Sequence, residues 1–124
     1  MKIIVVGAGK VGYSVAKILS EEGHDITVID RDPETITHLS NELDVICVEG
    51  SATNHETLLG AGAAEADLLM AATQQDEVNM VCGITARKLG TKHVIARIRD
   101  TEYLRQTEFL REVLGLSITI NPEY

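Results

Sequence analysis

Tryptophan is absent, phenylalanine occurs once, cysteine and proline occur twice each, and basic residues are outnumbered by acidic ones. Each shortage closes off a class of protein. Lys and Arg together number 11 against 19 Asp and Glu, a formal net charge of −8, which argues against a nucleic-acid duplex or an anionic membrane surface as partner. Any phosphate must then be held locally, by backbone N–H groups and a few cations. No apolar stretch approaches the roughly 18 residues that a membrane span needs, so a soluble, cytoplasmic chain without direct membrane insertion is expected. Cys47 and Cys82 lie far apart in apolar surroundings, with neither a Cys-x-x-Cys pair nor clustered histidines. They read as buried, reduced thiols, and their spacing carries no metal site.

Linkers, low-complexity segments and short-period repeats are also missing. A length of 124 residues suits one compact domain, residues 1–124, and leaves no room for a second, substrate-holding one. None of His24, His38, His55 or His93 stands beside a serine, cysteine or acid in a catalytic arrangement, and no paired-carboxylate site is evident.

What is present is an alternation. Apolar runs rich in Val and Ile recur at residues 3–6, 26–29, 45–48, 67–72, 93–98 and 117–120, and runs this continuously apolar belong to strands buried on both faces. Between them lie helix-length segments with start and stop signals. Residues 10–22 end at Gly23, and Asp32-Pro33 supplies an N-cap and a first-position proline for residues 33–43. Thr53-Asn54-His55-Glu56 has capping-box spacing ahead of a short helix that stops near Gly60 or Gly62. Residues 75–89 close at Gly90, and residues 101–114 form one helix closing at Gly115. Right-handed crossovers would assemble these units into a Rossmann-like, doubly wound parallel six-stranded α/β sheet of order 3-2-1-4-5-6.

The chemistry concentrates at the loops that leave the carboxyl ends of the strands, where open α/β sheets bind ligands. The first reads Gly7-Ala8-Gly9-Lys10-Val11-Gly12. Gly7 permits the tight turn, Gly9 lets the backbone approach a diphosphate, and Gly12 lets helix pack on strand. The N–H groups and positive dipole end of the helix then face the phosphates. Asp30 ends the second strand at the spacing of the acid that accepts hydrogen bonds from ribose hydroxyls. Its charge disfavours the 2′-phosphate of NADP relative to NAD(H), ATP or ADP, while Arg31 suits an adenine face, an extra phosphate or solvent. After the third strand, Ser51 and Ala52 are small enough to lie against an adenine, and Thr53 reads as a cap. After the fourth, Thr73 suits both the capping of the next helix and contact with a ribose or phosphate, Asp76 reads as a cap, and Asn79 as a support for the loop. Arg97, a cation in an apolar strand, needs either an anionic ligand or a pairing with Asp76 or Asp100. Arg99 points to the same side.

Taken together, MKIIVVGAGKVG, ITVID, EGSATNHETLLGAGAAEADLLMAAT, DEVNMVCGITARKLG, VIARIRDTEY and INPE resemble the N-terminal nucleotide-binding domain of the TrkA family. These are cytosolic regulatory subunits of Trk potassium-uptake systems, related to the RCK domains that regulate potassium-channel conductance. The resemblance runs over essentially the whole chain. It implies an allosteric ligand, NAD(H) or ATP/ADP with AMP also possible, held by Gly7, Ala8, Gly9, Lys10, Val11, Asp30, Ser51, Thr73, Gln74 and Arg97, and no enzymatic activity. It implies a homo-oligomer, a dimer or ring of dimers, acting on a membrane potassium transporter subunit and so peripheral to the inner face of the cell membrane. In ATP-binding relatives the acid of the closing Asn-Pro-Glu-like motif helps hold a divalent cation, which falls on Glu123. The third loop departs from the family's Gly-Asp-Ala-Thr pattern, since Ser51 replaces the acid. Full TrkA chains continue into a C-terminal domain, so a fragment or a single-domain member is expected. The helix at 101–114 carries Tyr103, Leu104, Phe109, Leu110, Val113 and Leu114, a broader band than one sheet-facing stripe requires, which suits contact with a symmetry mate or packing on the sheet. Two alternatives stay open on the residues alone: the cofactor domain of an NAD-dependent dehydrogenase, and a free-standing nucleotide or redox sensor.

Overall fold

The computed structural model of the chain describes residues 1–120. Six strands, β1 (Lys2–Val6), β2 (Asp25–Asp30), β3 (Ile46–Glu49), β4 (Leu68–Ala71), β5 (His93–Ile98) and β6 (Ser117–Ile120), form one sheet of order β3-β2-β1-β4-β5-β6 with every neighbouring pair parallel. The helices are α1 (Lys10–Glu21), α2 (Pro33–Glu42), α3 (His55–Gly60), α4 (Asp76–Leu89), α5 (Thr101–Leu104) and α6 (Thr107–Leu114). This is the Rossmann-like order expected from the strand–helix alternation. Asn121 to Tyr124, and with them the Glu123 expectation, lie outside the described residues.

The period-two geometry of a strand explains why both faces are apolar. On one face Ile3 and Val5 of β1 join Ile26 and Val28 of β2 under α1 and α2, which contribute Ala16 and Leu39. On the other, Ile4, Val6, Ile29 and Leu69 meet α3 and α4 through Leu58, Cys82 and Ala86. Burying each such Ile or Leu is worth about 1.5–3 kcal/mol relative to exposure, so the central strand, buried on both sides, anchors both layers at once.

Glycine at position 12 is required by packing. A Cβ there would overlap the backbone carbonyl of Gly7, and only the far side of the space is bounded by a side chain, Val5 at 3.6 Å. The first turn of α1 therefore rides directly on the end of β1.

Three local expectations are corrected. The helix at 55–60 is capped by Asn54, whose side chain accepts from the Glu56 N–H at 2.8 Å. Thr53 instead shares its hydroxyl with Ser51 at 3.0 Å, so the capping box is not formed and Thr53 is no cap. The stretch 101–114 is two helices, because Gln106 takes φ −124° and ψ 33° and starts α6 afresh; the Gln106 N–H bonds to the Tyr103 carbonyl, closing α5. Finally, Cys47 is only half-buried while Cys82 is fully buried, both as free thiols. The band of α5 and α6 splits accordingly: Tyr103, Leu104, Leu110 and Leu114 cover Met80 and Ile98, whereas Phe109 and Val113 remain 59% and 60% exposed.

Two measurements test these assignments. Gly12→Ala should destabilise the fold by about 3 kcal/mol because backbone, not a flexible side chain, is in the way; thermal unfolding should then show Tm lower by roughly 10–15 °C. Burial pushes the Cys82 thiol up to about 12, so at pH 8 iodoacetamide should leave Cys82 unmodified in the folded protein and label it in guanidinium, as peptide mass mapping would show.

Candidate functional site

The carboxyl ends of β1, β2, β3, β4 and β5 open into a cleft of about 560 Å³. The glycine loop forms its floor. Gly7 takes φ +92°, and a Cβ on it would lie 3.0 Å from the Thr73 N–H, so the loops after β1 and β4 pack backbone to backbone there. Around Gly9 nothing lies within 4 Å of a Cβ position, and this face of the turn looks into open space. Gly9 is also the N-cap of α1 and offers no side chain to the helix end, so the first-turn N–H groups have no intrahelical partner.

Asp30 shapes the turn from the side. One carboxylate oxygen accepts from the Ala8 N–H at 2.7 Å and the other from the Asp32 N–H at 2.9 Å. Each oxygen keeps a lone pair for a further donor. The acid thus organises the glycine loop before it can contact anything in the cleft, a role that spacing alone does not reveal.

Of the residues singled out in the sequence, Gly7, Gly9, Lys10, Val11, Asp30, Arg31, Ser51, Ala52, Thr73, Gln74 and Arg97 line the cleft, together with Arg99. Ala8 and Gly12 do not: the former faces Asp30 through its N–H, and the latter sits beneath the turn against Gly7. Gln75, the N-cap of α4, and Val78 in its first turn also line the cleft and carried no sequence signal, because the direction in which residues at a helix start face follows only from the helix axis. Four cations, Lys10, Arg31, Arg97 and Arg99, surround this space, and Asp30 is the one acid among its lining residues. That excess of positive charge stands in a chain of net −8.

The wall after β4 is held by Asn79, which is fully buried. Its Oδ1 accepts from the Thr73 N–H at 2.9 Å and the Thr73 hydroxyl at 2.6 Å, and its Nδ2 donates to the carbonyls of Thr73 at 3.1 Å and Arg97 at 2.8 Å. Thr73 lies two residues before Gln75, the N-cap of α4, and no side chain caps that helix; the capping expected of Thr73 and Asp76 is not made. The Asp76 carboxylate reaches instead to the N–H groups of Arg99, at 3.1 Å, and Asp100, at 2.7 Å. Asp100 in turn caps α5 through the Glu102 N–H at 2.8 Å. Neither acid pairs with Arg97, whose side chain is 8% exposed and whose Nε has no hydrogen-bond partner among the described residues.

His24 is half-buried, and His38, His55 and His93 are exposed. Among the described residues no group of three or more His, Cys, Asp or Glu is placed to hold a metal ion, and no helix is long and apolar enough to cross a membrane.

The sequence profile of the TrkA-N domain matches residues 3–122. The chain belongs to the TrkA-N domain family. Among relatives, it is 41% identical to the Trk system potassium uptake protein TrkA of Haemophilus influenzae and 38% identical to the TrkA homolog of Archaeoglobus fulgidus, in each case over 99% of this chain and 28% of the relative. This TrkA-N chain therefore spans just over a quarter of the length of those relatives. Among solved structures, the TrkA-N domain of the Escherichia coli inner membrane protein ybaL has a TM-score of 0.84 at 20% identity, over 97% of this chain and 87% of that one. The GsuK channel bound to NAD has a TM-score of 0.80 at 23% identity, over 95% and 21%. The Shewanella denitrificans Kef CTD in AMP bound form has 0.78 at 23%, over 99% and 73%. At these identities the structures share the fold.

One contact at the edge of the site is open to a pH test. The Tyr103 hydroxyl donates to Glu77 at 2.8 Å, and this bond, first among the causes, holds the Glu77 carboxyl below its usual range. The bond is present above the unfolded-state value and is lost as pH falls through the lowered folded one. Tyr103→Phe should therefore raise the Glu77 midpoint toward the ordinary glutamate value in a carboxyl-carbon NMR titration; an unmoved midpoint would exclude the bond.

Proposed function

We propose that this TrkA-N chain is a nucleotide-binding regulatory unit of a potassium-uptake system, with an allosteric rather than enzymatic role. The observation that carries this reading is the cleft's local charge: four cations and a glycine turn at the start of α1 gather around a space in an otherwise acidic chain. A polyanion with a ribose fits that arrangement. Diphosphate oxygens would lie at the α1 N-terminus between Gly9 and Val11, near Lys10. The ribose hydroxyls would donate to Asp30, and the adenine would lie by Ser51, Ala52 and Arg31. Thr73, Gln74 and Arg97 would complete the site on the far side, with Ala8 and Gly12 supporting the turn from outside it.

The ligand proposed is NAD(H) or ATP/ADP, with AMP as a smaller member of the same class. NAD and AMP in the GsuK and Kef proteins support the class, since those proteins share this fold. The names of the relatives support the physiological setting: residues 1–124 would act as one nucleotide-binding domain in an oligomer, a dimer or ring of dimers, on the cytoplasmic side of a membrane potassium transporter. Exposed Phe109 and Val113, one turn apart on α6, suit a contact between such domains. Ligands that favour one arrangement of the oligomer over another would shift it, and the transporter with it.

Isothermal titration with NADH, NAD, ATP and ADP tests the reading directly. Binding at micromolar concentrations is expected for at least one of them, with NADPH much weaker than NADH. Asp30→Ala, which removes the ribose acceptor and frees the Ala8 N–H, should weaken binding by about tenfold or more. No heat with any of the four ligands would sink the proposal.

A further inference from the structure

The unpartnered Nε of Arg97 and the saturated amide of Asn79 belong to one arrangement. Asp76 and Asn79 are three apart in the first turn of α4 and so share a face, and that face meets the end of β5. Asn79 holds the Arg97 carbonyl at 2.8 Å, and Asp76 holds the next two free amides of the exit, those of Arg99 and Asp100. On its other side the same Asn79 clasps the N–H, hydroxyl and carbonyl of Thr73. The two loop walls of the cleft are thus joined through one buried amide whose donors and acceptor are all in use.

A side chain so fully satisfied costs nothing in unpaired polarity; the cost sits next door. Arg97 is buried to 8% exposure with its Nε–H unmatched, although two carboxylates, that of Asp76 at the start of α4 and that of Asp100 at the β5 exit, are committed to backbone N–H groups instead. A buried cation left this way calls for an acceptor from the cleft it lines. We propose that Asn79 is a positioning residue of the site: by fixing the Arg97 backbone against Thr73, it holds the guanidinium at the cleft wall, where an anionic group of the bound nucleotide meets it. This inference rests on the nucleotide reading of the cleft and adds to it a residue that touches no ligand.

The test is a double-mutant cycle read by isothermal titration with NADH and ADP, at a temperature where circular dichroism shows every variant folded. Asn79→Ala should weaken binding by about tenfold in the wild-type background and by less than about twofold in an Arg97→Gln background, because an effect that passes through Arg97 cannot be lost twice. A merely structural asparagine would give the same loss in both backgrounds, and that result overturns the proposal. So does an affinity unchanged by Asn79→Ala or by Arg97→Gln. Should Asn79→Ala not fold, Asn79→Ser is carried through the same cycle with the same criteria. If the wild-type chain binds neither probe, the nucleotide reading fails and this inference falls with it; if it binds and the cycle is additive, only the inference falls.

Discussion

The cleft depends on the absence of anything between Gly12 and the carbonyl of Gly7. Because the first turn of α1 rests on the backbone leaving β1, the helix starts directly at the strand end and its free amides are aimed into the space above the sheet. A side chain at position 12 would lift the helix away and turn those donors elsewhere. The other contributions follow from that placement. Asp30 can bridge from β2 to the Ala8 N–H only because the turn lies within 2.7 Å of its carboxylate, and Gly7 can lie against Thr73 only because the turn is tight.

Charge is arranged on the same plan. The surface carries the acid excess, which serves solubility and repels polyanionic partners, while the cleft collects four basic side chains from the ends of three strands, β1, β2 and β5. Among the described residues none of those cations makes an ion pair, and the salt bridges there involve His24, Lys92 and Arg105, none of which lines the cleft. The acids near the cleft are instead spent on backbone amides: Asp30 on the glycine loop, Asp76 on the β5 exit, Asp100 on α5. Carboxylates used this way order the walls without neutralising the positive field inside them.

Much of this was legible in the residues. Strands buried on both faces announce themselves by unbroken Val and Ile, and the order of the sheet follows from alternation and handedness. The glycine turn and the acid that follows it mark the pocket because their spacing is set by backbone geometry. The parts that could not be read are those where a side chain chooses between neighbours. Thr53 and Asn54 are both good caps, and only the approach of Ser51 decides that Asn54 takes the helix. Asp76 has the look of an N-terminal helix residue, yet its partners lie 23 and 24 positions ahead. The break at Gln106 has no proline or glycine to announce it. A cation in so apolar a strand marks Arg97 in the sequence, but that neither neighbouring aspartate pairs with it is a fact of three-dimensional placement.

The position of β1 has one more consequence. The first strand of the sequence lies in the middle of the sheet, pairing on one side with β2 and on the other with β4, whose partner residues begin at Leu68. The half built from β1, β2 and β3 can form from short-range crossovers, but every wall of the cleft beyond Asp30 and Ser51 waits for the longer closure to β4 and then β5. A form in which only the β1–β3 half has folded lacks the complete cleft. A ligand that fits it spans both halves, and its free energy of binding adds to the cohesion of two parts that fold over different distances.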